Sequence, residues 1–206
     1  MLSNSVIITG MIVTNFYLNH DKNGEEFYQF YLSVAESDDA EDVIPIIVSD
    51  EMIDVREDAL GKKVTIIGEY RSIIKREYGN GISHLYPYVF PSKIFFVEDE
   101  LCKNDIFLRG ILCNTPEIRD NRMGRKEANV LVRIDRETKE SDYFPCVACG
   151  KNAFLATEYR EGDDISLAGK IKSRDYNLVD SILTGYEVSI EMMEHTSLSK
   201  TKMEKC

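Results

Sequence analysis

Two cysteines three residues apart, Cys146 and Cys149, sit in the stretch SDYFPCVACGKNA (141–153), directly ahead of Gly150 and Lys151. Such a pair could supply half of a tetrahedral zinc site or form a redox-active disulfide. Zinc needs about four convergent ligands. There is no second CxxC, and the three histidines, His20, His84 and His195, are widely scattered. A redox pair needs its first cysteine at a helix N-terminus after a strand. Here the two fall inside a strand pattern, which puts Cys146 on the core-side parity and Cys149 on the opposite face. Five cysteines without regular spacing read as reduced thiols rather than a disulfide framework. Nucleophile-elbow, P-loop and HExxH patterns are absent from the sequence. The acidic run ESDDAEDV (36–43) lacks EF-hand spacing and its glycine, and reads as a solvated loop. The expectation is a protein that is not an enzyme and needs no cofactor or metal.

The elements around this stretch come from an internal duplication with a period of about 100 residues. NSVIITG (4–10) lies over NDIFLRG (104–110), Gly24 over Gly124, Asp42 over Asp142 and Pro45 over Pro145. One inserted residue later, Gly61 and Gly68 match Gly162 and Gly169, and Ser72 matches Ser173. Each copy reads as an apolar strand to Gly10 or Gly110, then a turn, then an alternating strand (Phe30, Leu32, Val34; Val130, Val132, Ile134). A short strand through Pro45 or Pro145 follows, then a helix over 50–60 or 151–161 ending at a glycine, and a closing strand pair. That order predicts an all-β chain of two tandem OB-fold five-stranded Greek-key barrels with one short helix each. The expected domains are 1–99 and 103–195, followed by a short flexible tail, 196–206.

Charge divides the copies. The net charge is −11, but residues 1–100 hold 8 Lys and Arg against 18 Asp and Glu, whereas 101–206 hold 17 against 18. An anionic ligand therefore belongs to the second copy. In ISLAGKIKSRDY (165–176), Ile165, Leu167 and Ile171 share one parity, and Lys170, Lys172, Arg174 and Tyr176 share the other. Cations beside a ring suit single-stranded nucleic acid, with phosphates on the cations and bases stacked on rings; a solvated strand face gives the same pattern. The matching positions of the first copy are Glu69, Arg71, Ile73 and Lys75, while Tyr143 corresponds to Val43 and Lys151 to Glu51. The first copy has its own aromatic hairpin, Tyr78, Tyr86, Tyr88 and Phe90, read as packing or partner contact because its surroundings are acidic.

The stretches GILCNTPEIRDNRMG (110–124), SDYFPCVACGKNA (141–153), EGDDISLAGKIKSRDY (161–176) and GYEVSIEMME (185–194) resemble the bacterial single-stranded DNA-binding protein (SSB) family in a compact tandem form. The resemblance implies a cytoplasmic, nucleoid-associated protein that coats single-stranded DNA in replication, recombination or repair. Tyr143 and Tyr176 are implied as stacking rings, and Cys149 stands where the family pattern has a third. Lys170, Lys172, Arg174 and Lys151, with Arg133 and Arg125, are the expected phosphate contacts. Four folds per assembly in familiar members imply a homodimer here. The chain ends TSLSKTKMEKC, where replication-type members carry an acidic recruiting tip, so the acidic first copy is the candidate surface for a replication-protein partner. The alternative function is an accessory, protein-interaction module of a replication or plasmid or phage transfer complex. No run of about 18 apolar residues points to a membrane partner.

Overall fold

The computed structural model describes residues 3–37, 40–76, 83–121, 123–177 and 182–196; Tyr78 and the tail from 197 onward lie outside them. The first repeat comprises β1 (Asn4–Ile12), β2 (Tyr17–Lys22), β3 (Glu25–Ser37), β4 (Ala40–Ser49), β5 (Lys63–Arg76) and β6 (Ser83–Phe96). The second comprises β7 (Lys103–Leu112), β8 (Ile118–Asp120), β9 (Lys126–Asp135), β10 (Ser141–Cys149), α1 (Lys151–Ala156), β11 (Asp164–Asn177) and β12 (Ile182–His195).

Alternation of apolar and polar residues sends Phe30, Leu32 and Val34 inward from β3, and Val130, Val132 and Ile134 inward from β9. Each repeat closes on itself. In the first, β1 pairs with β3, β3 with β4, β4 with β6 in parallel, β6 with β5, and β5 with β1. β7, β9, β10, β12 and β11 repeat that circuit. This is the strand order of the OB-fold barrel. The short β2 and β8 are sixth strands that the sequence pattern did not separate; they pair with β3 and β9 and leave the five-stranded closure intact.

Two of the duplicated glycine pairs, Gly10 with Gly110 and Gly68 with Gly169, mark where strands cross too closely for a side chain. A Cβ on Gly10 would lie 2.2 Å from the Ser33 carbonyl oxygen, and one on Gly110 the same distance from that of Arg133. Gly68 and Gly169 are equally tight, 2.2 and 2.1 Å from the carbonyls of Phe90 and Ser189, and the β5–β6 and β11–β12 registers shift there. These bulges let the barrel strands bend.

The expected helix of the first repeat does not form. Residues 50–60 are a chain of turns, because Asp54 and Asp58 accept the backbone N–H groups of Arg56 (3.0 Å) and Leu60 (3.1 Å). Local side-chain acceptors of this kind compete with helical hydrogen bonding. In the second repeat the helix forms but stops at Ala156, short of the expected Glu161.

The two barrels share one sheet and one core. β1 and β7 pair antiparallel from Asn4↔Leu108 to Thr9↔Lys103, with Val6 opposite Ile106 at the pseudo-two-fold centre. One buried apolar cluster runs through both repeats, and the Tyr70 ring stacks on Phe144 across the seam at 5.0 Å. Asn4 and Asn104 each bridge the seam's flank, accepting from Tyr70 and Ile171 amides at 2.9 Å.

Candidate nucleic-acid interface

The seam is fastened by the polar residues that recurred in the duplication. Asp142 accepts the Ser72 amide at 2.6 Å, and the Ser72 hydroxyl accepts the Tyr143 amide at 2.9 Å. The mirror arrangement places Asp42 on the Ser173 amide (2.8 Å) and the Ser173 hydroxyl on the Val43 amide (3.1 Å). Arg136 closes on both oxygens of Asp142, whereas the cation on Asp42 is Lys172, at 3.2 Å.

On either side of this seam lies a barrel face turned away from the core. In the second repeat that face carries Arg133 on β9, Tyr143 and Cys149 on β10, Glu187 on β12, and Lys170, Lys172, Arg174 and Tyr176 on β11. The register brings Tyr143 opposite Arg133 and Lys172 opposite Glu187. All eight residues expected from sequence to contact DNA lie in this repeat, and their surroundings differ. Tyr143 is half-buried beside the seam. Tyr176 is 48% exposed; its ring lies on Gly185, where an added Cβ would come within 2.7 Å of it. Lys151, the first residue of α1, and Arg125, in the β8–β9 turn, are exposed, and no ion pair holds either side chain among the described residues.

The remaining cations are held by carboxylates. Lys170 meets Glu191 at 3.7 Å, Arg174 meets Glu187 at 2.6 Å, and Arg133 meets Asp135 at 3.1 Å. Lys172 is committed to the seam through Asp42, its side chain only 20% exposed. Burial lowers its ammonium pKa, as for a cation drawn out of bulk water. Glu127 and Glu187, both buried on this face, were missed in the sequence because a carboxylate on a strand's outer parity reads as solvated. Burial is the main cause that raises the Glu187 carboxyl above the ordinary range, opposed by Arg174. Cys149 is exposed with its thiol 3.9 Å from Glu127, and burial with that carboxylate raises its pKa, away from thiolate chemistry. Cys146 is buried in the core. Among the described residues no group of three metal-ligating side chains converges.

The equivalent face of the first repeat is aromatic. Phe27 stacks on His20 at 4.6 Å and lies 6.1 Å from Phe90, over which Arg71 sits at 4.7 Å. Farther along, the Tyr31 and Tyr86 hydroxyls meet at 3.1 Å, and Gln29 donates to Tyr86 at 2.8 Å. Lys75 is centred over the Tyr86 ring at 3.3 Å. The period-two spacing of Tyr86, Tyr88 and Phe90 was the signal for this face; Tyr17 and Tyr31 gave none until β2 and β3 placed them beside it.

Comparison with known proteins agrees with the geometry. Residues 103–196 match the model of the single-strand binding protein family. A single-stranded DNA-binding protein of Fusobacterium nucleatum is 28% identical over 100 residues, covering 44% of this chain; the chain spans 65% of that relative's length. Crystal structures of the single-stranded DNA binding protein from Thermus aquaticus, wild type and a deletion mutant, superpose with TM-scores of 0.74 and 0.75 at 16% identity, over 93% of this chain and 92–93% of theirs. The likeness to those structures extends over both repeats and establishes the fold. The likeness to the single-strand binding protein family lies in residues 103–196, the second repeat.

Proposed function

We propose that the protein is a non-catalytic single-stranded DNA-binding protein that coats exposed strands during replication, recombination or repair. The observation that supports this reading is the outer face of the second repeat, within the segment that matches the family model, where Tyr143 lies opposite Arg133 and Tyr176 shares the parity of Lys170 and Arg174, with Lys151 and Arg125 exposed on the same repeat. The rings supply stacking at about 1–3 kcal/mol per base, tolerant of sequence because every base has a flat face. Lys151 and Arg125 can neutralise phosphates directly; Arg174, Lys170 and Arg133 must first give up carboxylates. Lys172 drops out of the proposed contact set, because moving it would open the seam.

A homodimer is proposed with it. Ser5, Ile7, Thr9 and Met11 share the outward parity of β1, with Thr9 itself buried, and the pairings Ile7↔Ile67, Thr65↔Phe95, Ser5↔Phe107, Phe107↔Ala168 and Ala168↔Met192 extend that side across β6-β5-β1-β7-β11-β12. Ile7, Met11, Phe95 and Met192 are 40–52% exposed on it, an apolar surface suited to a second copy. Sedimentation at micromolar concentration is expected to give twice the chain mass.

Titration of fluorescent oligo-dT at several salt concentrations tests the function. Binding is expected to weaken with salt by about 0.7 in log–log slope per neutralised phosphate. No association at low salt would overturn the reading and favour the accessory-module alternative, to which the acidic first repeat and the carboxylate-paired cations of the second are suited.

A further inference from the structure

A groove of about 900 Å³ runs along the seam, on the side where Asp42 meets Ser173, and both repeats build it. The first contributes Tyr31, Tyr86 and Lys75; the second contributes Tyr176, Tyr186 and the backbone of Gly185. Tyr186 stands edge-on to Tyr86 at 5.5 Å and is buried, so it braces that ring from beneath the surface. Tyr17, 43% exposed, continues the aromatic surface 6.4 Å from Tyr31. Burial raises the pKa values of Tyr17, Tyr86 and Tyr186, so these three rings carry no phenolate charge near neutral pH.

Resting on the single-stranded DNA reading above, we propose that the strand crosses from the second barrel to the first through this groove, placing bases on Tyr176, Tyr86 and Tyr31. Three observations converge on that occupant. Tyr176, already a proposed stacking ring, lines the groove, so a strand lying on it is led toward Tyr86 and Tyr31. Lys75 has no carboxylate partner among the described residues; a ring holds it instead. It can turn to a phosphate without breaking an ion pair, unlike Lys170 and Arg174 in the second repeat. The carboxylates Glu41 and Asp175 also line the groove, and Asp175 already accepts from the Thr184 hydroxyl at 2.7 Å. They leave bases, rather than phosphates, as the groups the groove itself can hold, with the backbone kept on the Lys75 side. The first repeat is then part of the DNA path and not a scaffold for the second.

Photo-cross-linking of the intact chain to oligo-dT carrying 5-iododeoxyuridine, mapped by mass spectrometry, tests the path without relying on a variant that folds. Cross-links at Tyr86 or Tyr31 alongside Tyr176 are expected. Tyr86→Ala is expected to weaken binding roughly ten-fold, within the range of one lost stacking contact, while Tyr86→Phe stays within about two-fold. Lys75→Gln reduces the salt slope by about 0.7. If the oligonucleotide binds but every cross-link falls within 103–196 and Lys75→Gln leaves the slope unchanged, the crossing groove is refuted while the general function stands. Failure of the unmodified protein to bind at low salt removes both.

Discussion

The outer faces of the two barrels share a backbone and oppose each other in chemistry. Where the second repeat has Glu127, Glu187 and Ser189, the strands of the first present Phe27, Tyr88 and Phe90. Phe27 and Glu127 hold one register position on β3 and β9, and the pairings Ile46↔Val89 and Cys146↔Val188 align β6 with β12. One face is a mosaic of ion pairs with two rings at its seam edge. The other is a sheet of rings with two cations, Arg71 and Lys75, laid over them. Duplication preserved what the fold needs, the close-approach glycines and the Asp–Ser seam. It left the outward parity of each strand free to diverge, because an outward side chain does not alter the barrel's closure. An electrostatic surface and a stacking surface thus arose on one scaffold, joined by a groove to which both contribute.

That comparison requires the faces to be held as one body, and the seam is where it breaks with the largest effect. Asp142 is almost fully buried against Arg136, so Asp142→Ala removes the acceptor of the Ser72 amide and strips the Arg136 guanidinium of its bidentate partner, leaving it Glu140 and the Ser72 carbonyl. The expected loss is about 3 kcal/mol, seen in calorimetry as a melting point lowered by about 6–12 °C. Asp42→Ala is expected to cost less, because Lys172 gives a single point contact where Arg136 is bidentate. Equal losses would show that the two halves of the seam are energetically equivalent.

The next effect separates the faces directly. Glu187→Gln is nearly isosteric and releases Arg174, so oligo-dT affinity at low salt should rise several-fold, with a slope steeper by about 0.7 for one added phosphate contact. Unchanged affinity and slope would mean that Arg174 does not face the strand.

The same pair predicts a pH dependence. Glu187 has its pKa raised in the folded protein, mainly by burial and further by Glu127, against the lowering influence of Arg174 and Arg119. A folded-state value above the unfolded one means that the folded chain takes up a proton before the unfolded chain does as pH falls. The charged form therefore costs stability at neutral pH, and that cost is relieved as pH falls through the folded-state value. Protonation also releases Arg174. Oligo-dT binding should tighten as pH is lowered from neutral, and this part of the pH profile should vanish in Glu187→Gln.

Much of the architecture was legible because the features that set it are local or repeated. Gly10 and Gly110, read as closing an apolar strand, recur because each meets a neighbouring carbonyl too closely for a side chain, and the alternation in 165–176 sorted core from surface correctly at Ile165, Leu167 and Ile171. The first repeat's helix was misread because 50–60 offers helical length and a terminal glycine, while the aspartates that divert its amides look like ordinary helix-surface residues. At the interface, parity gave the direction of each side chain but not what meets it. Nothing near Lys172 in the sequence points to Asp42, 130 positions away, because that pairing exists only once β1 and β7 have joined the barrels. The same long-range closure brought Tyr86 beside Tyr186 and made an aromatic hairpin read as packing or partner contact one wall of a groove.

The smallest expected effect lies at Cys149, a thiol at the position where the sequence resemblance implies a ring. The position is exposed at the end of β10, so an aromatic side chain needs no cavity and Cys149→Tyr should leave the melting point within about 2 °C, in keeping with a tolerated surface change. Its value for DNA depends on which face the strand occupies. If the strand lies across the second repeat at Cys149, the new ring adds one stacking contact, at the low end of about 1 kcal/mol because Glu127 stands beside it, or roughly five-fold in affinity. If the strand leaves the second barrel at Tyr176 and enters the groove, Cys149 is off the path and the substitution is silent. Oligo-dT titration of Cys149→Tyr alone and with Tyr86→Ala distinguishes these routes. A gain that persists when Tyr86 is truncated marks two independent surfaces, and a gain that disappears with Tyr86 marks one strand engaging both faces at once.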